Sequence, residues 1–343
     1  MKFLDLFAGI GGFRLGMERA GHECVGFCEI DPFARKSYKA IHDTEGELEF
    51  HDITAVTDKS VRGIGRVDVI CGGFPCQAFS IAGKRAGFED TRGTLFFEIA
   101  RFASILRPKY LFLENVTGLL NHDNGNTFEV ILGALDELGY DAEWQVFNSK
   151  NFGVPQNRER VFIIGHLRGA GGRAIFPFGG DSKEAGNLQG QPTNTITARY
   201  GEAQGSGSYV IESKQQKILQ RGRGYNQGGE HGTAPTLTSN SWQENNYVKV
   251  YDFYNKNIKN EVGTLTANGG VSTTHCGTFG ITDGFRIRKL TPRECWRLQG
   301  FPDWAFDRAQ AVNSNSQLYK QAGNSVTVNV IEAIARRLEE TDE

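Results

Sequence analysis

The sequence predicts an α/β protein, a largely parallel sheet with helices on both faces, joined to a smaller β-rich lobe. Three observations carry that prediction. Apolar runs of strand length recur as far as residue 165, separated by stretches whose apolar residues fall at helical spacing. A glycine-rich turn, Ala8-Gly9-Ile10-Gly11-Gly12, follows the first of those runs, as in nucleotide-binding βα units. After about residue 170 the composition shifts to Gly, Asn, Thr, Ser and Gln with few long apolar runs, which reads as a second lobe of short strands.

With 343 residues, 39% of them hydrophobic and 23% charged, the chain has material for two lobes and is not a disordered polymer. It contains no apolar run of 18 residues and no basic-then-apolar amino terminus, so neither a membrane span nor a secretory signal is expected. The six cysteines (Cys24, Cys28, Cys71, Cys76, Cys276 and Cys295) include no Cys-x-x-Cys pair. That pattern predicts reduced thiols in a cytoplasm and no metal. A net charge of −2 argues against nucleic acid, but its distribution does not. Residues 151–300 hold 18 Lys and Arg against 11 Asp and Glu, while the remainder holds 20 against 29. A positive face confined to one section suits a phosphate backbone. A solvated surface with chance asymmetry explains the same counts equally well.

Lys2 to Phe7 reads as the first strand, and Phe13, Leu15, Gly16, Met17 and Ala20 give the next helix a packing face. The glycine turn lacks a full G-x-G-x-x-G and the Lys-Ser/Thr of a P-loop, so alone it names no cofactor. A second strand, Glu23 to Phe27, ends at Cys28-Glu29-Ile30-Asp31. In such folds an acid at this tip holds a ribose hydroxyl pair, and Glu29 lies 18 residues after Gly11. Asp52, in His51-Asp52-Ile53, is placed to take an adenine amine. Carboxylates without a phosphate cradle suit S-adenosylmethionine, a sulfonium without phosphates, better than a dinucleotide. Solvated strand-end acids are the plainer reading of either residue alone.

The run Val67 to Ile70 feeds Gly72-Gly73-Phe74-Pro75-Cys76-Gln77-Ala78-Phe79-Ser80, on which the functional reading turns. Pro75 fixes its own φ, and Gly72 and Gly73 let the backbone bend tightly or lie against a ligand. Cys76 is thus expected at the mouth of the sheet, where open α/β folds place their chemistry. An inert core thiol is the commoner fate of a lone cysteine. The polar segment Ile81 to Gly93, with Lys84 and Arg92, has the length of a functional lid. A helix over Thr94 to Arg107 follows, stopped by Pro108. Tyr110 to Leu113 is then a buried strand that delivers Glu114-Asn115-Val116. An acid at the end of an apolar strand should be desolvated and its pKa raised, which fits acid–base work as well as simple helix capping.

Asn126 to Leu138 reads as a helix, Asp141 to Phe147 as a strand and Val161 to Gly165 as the last strong strand. Before it, Arg158 and Arg160 in Gln156-Asn157-Arg158-Glu159-Arg160 share one face at i and i+2. They could grip a polar ligand or form a surface ion-pair ladder. In the second lobe three phrases recur, Thr195-Ile196-Thr197-Ala198-Arg199, Thr236-Leu237-Thr238-Ser239-Asn240 and Thr264-Leu265-Thr266-Ala267-Asn268, spaced too unevenly for a solenoid. Thr291 as N-cap, Pro292 and Glu294 open another helix. Val326, Val330, Ile334 and Leu338 make a terminal helix after Gly323-Asn324-Ser325 that should pack back on the first lobe.

This ordered set resembles the DNA cytosine-5 methyltransferases, most of all their HhaI-type bacterial and phage branch. The blocks that carry the resemblance are Asp5 to Gly12, Phe74 to Gln77, Glu114 to Val116, Gln156 to Arg160, Arg288 to Pro302 and Gln321 to Val326. They run in family order and, with their surroundings, cover about two thirds of the chain. The resemblance implies a Rossmann-like S-adenosylmethionine-dependent methyltransferase sheet with a β-rich target-recognition domain. Residues 1–172 would form the first part of the catalytic domain, 173–285 the target-recognition domain and 286–317 a small-domain or hinge segment. Residues 318–343 would complete the catalytic domain. It implies Cys76 as the nucleophile that adds to C6 of a flipped-out cytosine, Glu114 on N3 and the amino group, Arg160 on O2, and Arg158 in support. Cofactor contacts would be Phe7, Gly9, Ile10, Gly11, Glu29, Ile30, Asp52, Ile53, Pro75, Asn324 and Ser325. Ile30 departs from the family, whose members place an aromatic there.

Expected DNA contacts are Gln77, Ser80, Lys84 and Arg92 in the active-site loop, with Arg199, Arg223, Thr236 and Thr264 in the middle lobe. The product would be S-adenosylhomocysteine, the partner duplex DNA and the chain a monomer. A cognate restriction endonuclease would be linked by function and not by contact, in a bacterial or phage-infected cytoplasm near the nucleoid. A tRNA-directed enzyme of the same fold and a non-catalytic DNA-binding regulator are the alternatives. The long middle region speaks against the first, and the intact Cys76, Glu114 and Arg160 against the second.

Overall fold

The computed structural model describes residues 1–75, 95–172, 174–178 and 290–339, and between 193 and 289 the backbone of a set of short strands. In chain order the first unit contains β1 (Lys2–Leu6), α1 (Gly12–Arg19), β2 (Glu23–Cys28), α2 (Pro32–Ile41), β3 (Leu48–Phe50), α3 (Asp58–Arg62) and β4 (Val69–Gly73). It continues with α4 (Leu95–Leu106), β5 (Tyr110–Val116), α5 (Asn126–Glu137), β6 (Tyr140–Asn148), β7 (Gln156–Asn157) and β8 (Glu159–Leu167). After the middle region come α6 (Pro292–Leu298), α7 (Asp303–Gln310), α8 (Asn315–Asn324) and α9 (Val328–Glu339).

The main sheet has seven strands in the order β3-β2-β1-β4-β5-β8-β6. Strands β3, β2, β1, β4 and β5 are parallel, whereas β8 runs antiparallel to β5 and to β6. The sheet is therefore mixed. Alternation along the strands builds a core on each face. Leu4, Leu6, Ile70, Leu111, Leu113 and Ile163 pack with Val61 of α3, Phe96, Ile99 and Phe102 of α4, and Ile131 and Leu135 of α5. Phe3, Val69, Cys71, Phe112, Phe162 and Ile164 pack with Phe13 and Met17 of α1 and Val330, Ile331, Ile334 and Leu338 of α9. The terminal helix thus returns to the sheet as its sequence spacing predicts. Strand order reverses between β1 and β4, the switch point at which doubly wound sheets open a crevice.

One local reading needs correction, and one start of a helix is added. Gly72 and Gly73 do not make a turn; they are the last residues of β4, and Gly73 pairs with Glu114 of β5. A Cβ on Gly73 would stand 3.2 Å from Glu114 Oε2, so the glycine leaves room for that carboxylate. Asp31-Pro32 is the start of a helix: the Asp31 carboxylate accepts from the N–H groups of Phe33 and Ala34, with Pro32 in the first turn of α2.

By contacts the chain divides into Met1–Gly201 with Pro292–Glu343, and Glu202–Thr291. Helices α6 to α9 all belong to the first unit. The second holds short antiparallel strands: 209–213 beside 285–289, 218–220 between 229–231 and 246–247, and 250–252 between 257–259 and 279–281. Among the described residues no helix is long and apolar enough to cross a membrane.

Candidate active site

The carboxyl ends of β1, β2, β4 and β5 open into a cleft of about 480 Å³, closed on one side by Lys320 to Ser325 at the end of α8. That volume suits a ligand of nucleoside size. At one end of the cleft the glycine turn bends sharply, with φ +57° at Gly9 and +84° at Gly11. Phe7, which lines the cleft, also takes a left-handed backbone, at φ +54°. In a non-glycine residue this costs on the order of 1 kcal/mol or more, and such strain collects at functional sites. Glu29 faces the turn. Its Oε2 accepts from Gly9 N at 2.8 Å and its Oε1 from Asp31 N at 2.7 Å, so the carboxylate is fixed before any ligand arrives. Burial raises the Glu29 pKa, against the opposing effect of those two N–H groups. The Asp52 carboxylate accepts from the Thr54 N–H and hydroxyl at 2.9 and 2.7 Å, which hold its pKa below the ordinary range. Ile30 projects from the rim at 67% exposure, and Ile53 is buried.

At the other end stand Pro75, Glu114, Asn115, Arg158 and Arg160. Arg160 Nε lies 3.1 Å from Glu114 Oε1. Burial pushes the Glu114 carboxyl up and the Arg160 guanidinium down, each against the pull of its partner's charge. Desolvation therefore outweighs the attraction on both sides, and Glu114 holds a proton more readily than a free carboxyl. Asn115 Nδ2 donates to the Phe74 carbonyl at 2.9 Å, pinning the backbone just before Pro75. Arg158 is almost wholly enclosed and donates to the carbonyls of Ser325 (2.8 Å) and Gly323 (3.3 Å). It braces the far wall from beneath.

Of the residues expected from sequence, Phe7, Gly9, Ile10, Glu29, Ile30, Asp52, Ile53, Pro75, Glu114, Arg158, Arg160, Asn324 and Ser325 all line this one cleft. Gly11 does not; it turns away toward His42, and a Cβ there would come 2.0 Å from His42 Nε2. Cys76, Gln77, Ser80, Lys84, Arg92, Arg199, Arg223, Thr236 and Thr264 lie outside the described residues, as do the segment Ile81 to Gly93 and the three Thr phrases. Asp31, Asn115 and Lys320 also line the cleft and were not singled out for it. Asp31 had a readable signal in its N-cap position before Pro32. Lys320 had none, since its partner Asp31 is 289 residues away.

A glycine turn, an acid at the tip of the second strand and a buried acid–arginine pair are gathered at the switch point of a seven-stranded α/β sheet, where enzymes of doubly wound fold bind their ligands. The chain belongs to the C-5 cytosine-specific DNA methylase family, whose profile matches residues 1–340, and it is a DNA (cytosine-5)-methyltransferase. It is 40% identical over 348 residues to the type II methyltransferase M.HpaII of Haemophilus parainfluenzae, covering 98% of this chain and 88% of that one. To M.HhaI of Haemophilus parahaemolyticus it is 36% identical over 343 residues, covering 98% and 93%. Among solved structures it matches the Dnmt2 methyltransferase of S. pombe with a TM-score of 0.62 at 18% identity, over 98% of both chains, which shows the shared fold.

Proposed function

We propose that the chain transfers a methyl group from S-adenosylmethionine to C5 of a cytosine flipped out of a short specific duplex sequence, through a transient bond between Cys76 Sγ and C6. The observation that carries this reading is one cleft holding two sets of groups. Glu29 and the glycine turn stand at one end, and Pro75, Glu114 and Arg160 at the other, with Cys76 next in the chain after Pro75.

The residues present fit the cofactor. Gly9 has open space where a Cβ would stand, so a ligand can lie against the turn. Both Glu29 oxygens are anchored by N–H groups and keep lone pairs for a ribose diol. Asp52 offers an acceptor for an exocyclic amine. When bound, the cofactor supplies an electrophilic methyl on a sulfonium, and the cleft's carboxylates suit that charge. Ile30, exposed on the rim, replaces the family's aromatic with an aliphatic contact.

C5 of cytosine is a weak nucleophile. Addition of the Cys76 thiolate to C6, with Glu114 protonating N3 and Arg160 donating to O2, turns the ring into an enamine whose C5 can take the methyl. Loss of the C5 proton and expulsion of the Cys76 thiolate return the enzyme. A stacked base hides C6, so the cytosine must leave the helix. Gln77, Ser80, Lys84 and Arg92 would contact the DNA near the gap. Residues 173–285, with Arg199, Arg223, Thr236 and Thr264, would read the target, and 286–317 would link that lobe to 318–343. That relatives are named type II methyltransferases favours pairing by function with an endonuclease; the enzyme is further proposed to act as a monomer in a bacterial or phage-infected cytoplasm.

Duplex DNA carrying 5-fluorocytosine tests the chemistry, because fluorine at C5 blocks the final elimination. The expected result is a denaturant-stable adduct with the wild type. Cys76→Ala should form none and should abolish methylation while retaining duplex binding. Methylation by Cys76→Ala would overturn the assignment.

A further inference from the structure

The pocket for the nucleoside has two lips from opposite ends of the chain. One is the Glu29–Asp31 turn before α2; the other is Gln321–Ser325 at the end of α8. Between them runs a polar seam. Arg308 donates to the Ile41 carbonyl at 2.9 Å, and Asn313 Nδ2 to the Phe33 carbonyl and Ser37 Oγ at 3.0 and 2.9 Å. Gln321 Nε2 donates to the Phe33 carbonyl at 3.1 Å, while its Oε1 accepts from Ser37 Oγ at 2.9 Å. The seam ends at the cleft, where Lys320 Nζ meets Asp31 Oδ2 at 2.7 Å. Both residues of this last pair line the cleft, unlike Arg308 and Asn313.

Asp31 is held from three directions. Its Oδ1 takes the first N–H groups of α2, its Oδ2 takes Lys320, and its own N–H donates to Glu29 Oε1. Arg35 grips the Glu29 and Ile30 carbonyls at 2.8 Å from the other side. Lys320 and the Glu29 carboxylate thus share Asp31 as a partner, one through its side chain and the other through its N–H.

We infer that Lys320 is a positioning residue for the cofactor: its bond to Asp31 straps the C-terminal lip to the Glu29 lip and sets how tightly the nucleoside ligand is held. The inference rests on the reading of the cleft as an S-adenosylmethionine pocket. Half-exposed ion pairs contribute little to global stability, so the strap's effect should be local to the pocket. It should also weaken as salt screens the pair.

A double-mutant cycle with Lys320→Met and Asp31→Asn tests this on the full chain, since Asn retains N-capping. S-adenosylhomocysteine affinity is measured by calorimetry, and thermal midpoints are recorded without ligand. Each single variant should weaken binding by about 3- to 10-fold, with the thermal midpoint nearly unmoved. The double variant should bind no worse than the weaker single one, the mark of a shared interaction. Additive losses, or variants that bind as the wild type does, would overturn the strap while leaving the pocket reading intact. A wild type that binds no S-adenosylhomocysteine would overturn both.

Discussion

A carboxyl and a guanidinium 3.1 Å apart, both shifted toward their neutral forms, are an unusual resting arrangement. An ordinary ion pair stabilises its charges; here burial wins. In the proposed mechanism this carboxyl would give a proton to a ring nitrogen while its neighbour donates to an oxygen. Glu114→Gln should therefore slow methyl transfer by about 10²-fold or more, the scale of acid–base assistance, without weakening S-adenosylhomocysteine binding. Single-turnover rates beside calorimetric affinities would check both halves. Glu114 could be read in advance because four apolar residues precede it on one strand, and burial of that strand carries the acid with it. Asp31 and Lys320 could not be read together. Each looks like a solvated charge until the end of α8 meets the start of α2.

At the scale of elements, α1 and α9 pack closely. A Cβ on Gly16 would stand 2.6 Å from both Cβ and Cγ2 of Ile331 and 2.9 Å from Glu332 N, so the two helices meet almost backbone to backbone. Gly16→Leu must push α9 outward, and overpacking of this kind costs about 1–3 kcal/mol. Urea unfolding should show a lower midpoint, with cofactor affinity reduced as Ser325 and its neighbours move with the helix. Gly16 was legible as part of a packing face, though not as a contact with a helix more than 300 residues later. The strands were legible from their apolar runs, but the reversed direction of β8 was not. An apolar run of strand length records burial on both faces, and chain direction leaves no trace in it.

For the molecule as a whole, His42 ties α2 to the glycine turn, with Nε2 3.3 Å from the Ile10 carbonyl. Burial, reinforced by the Arg14 charge, lowers its pKa from 6.5 to about 3. Between those values the unfolded chain binds a proton that the native chain refuses, so stability falls as pH falls through this window. The slope from this one group is about 1.4 kcal/mol per pH unit. Asp5, Glu29 and Glu114, with raised pKa values, act in the opposite sense. The difference between wild type and His42→Gln isolates the histidine. Denaturation midpoints from pH 7 to pH 4 should fall less steeply for the variant.

The cleft is built from residues 7 to 160 on one side and 320 to 325 on the other. A chain still on the ribosome, with everything before residue 320 already made, has the first side of this cleft and lacks the second. A chain cut short before residue 320 would lack that second side, and it should hold a nucleoside ligand more weakly than the full chain.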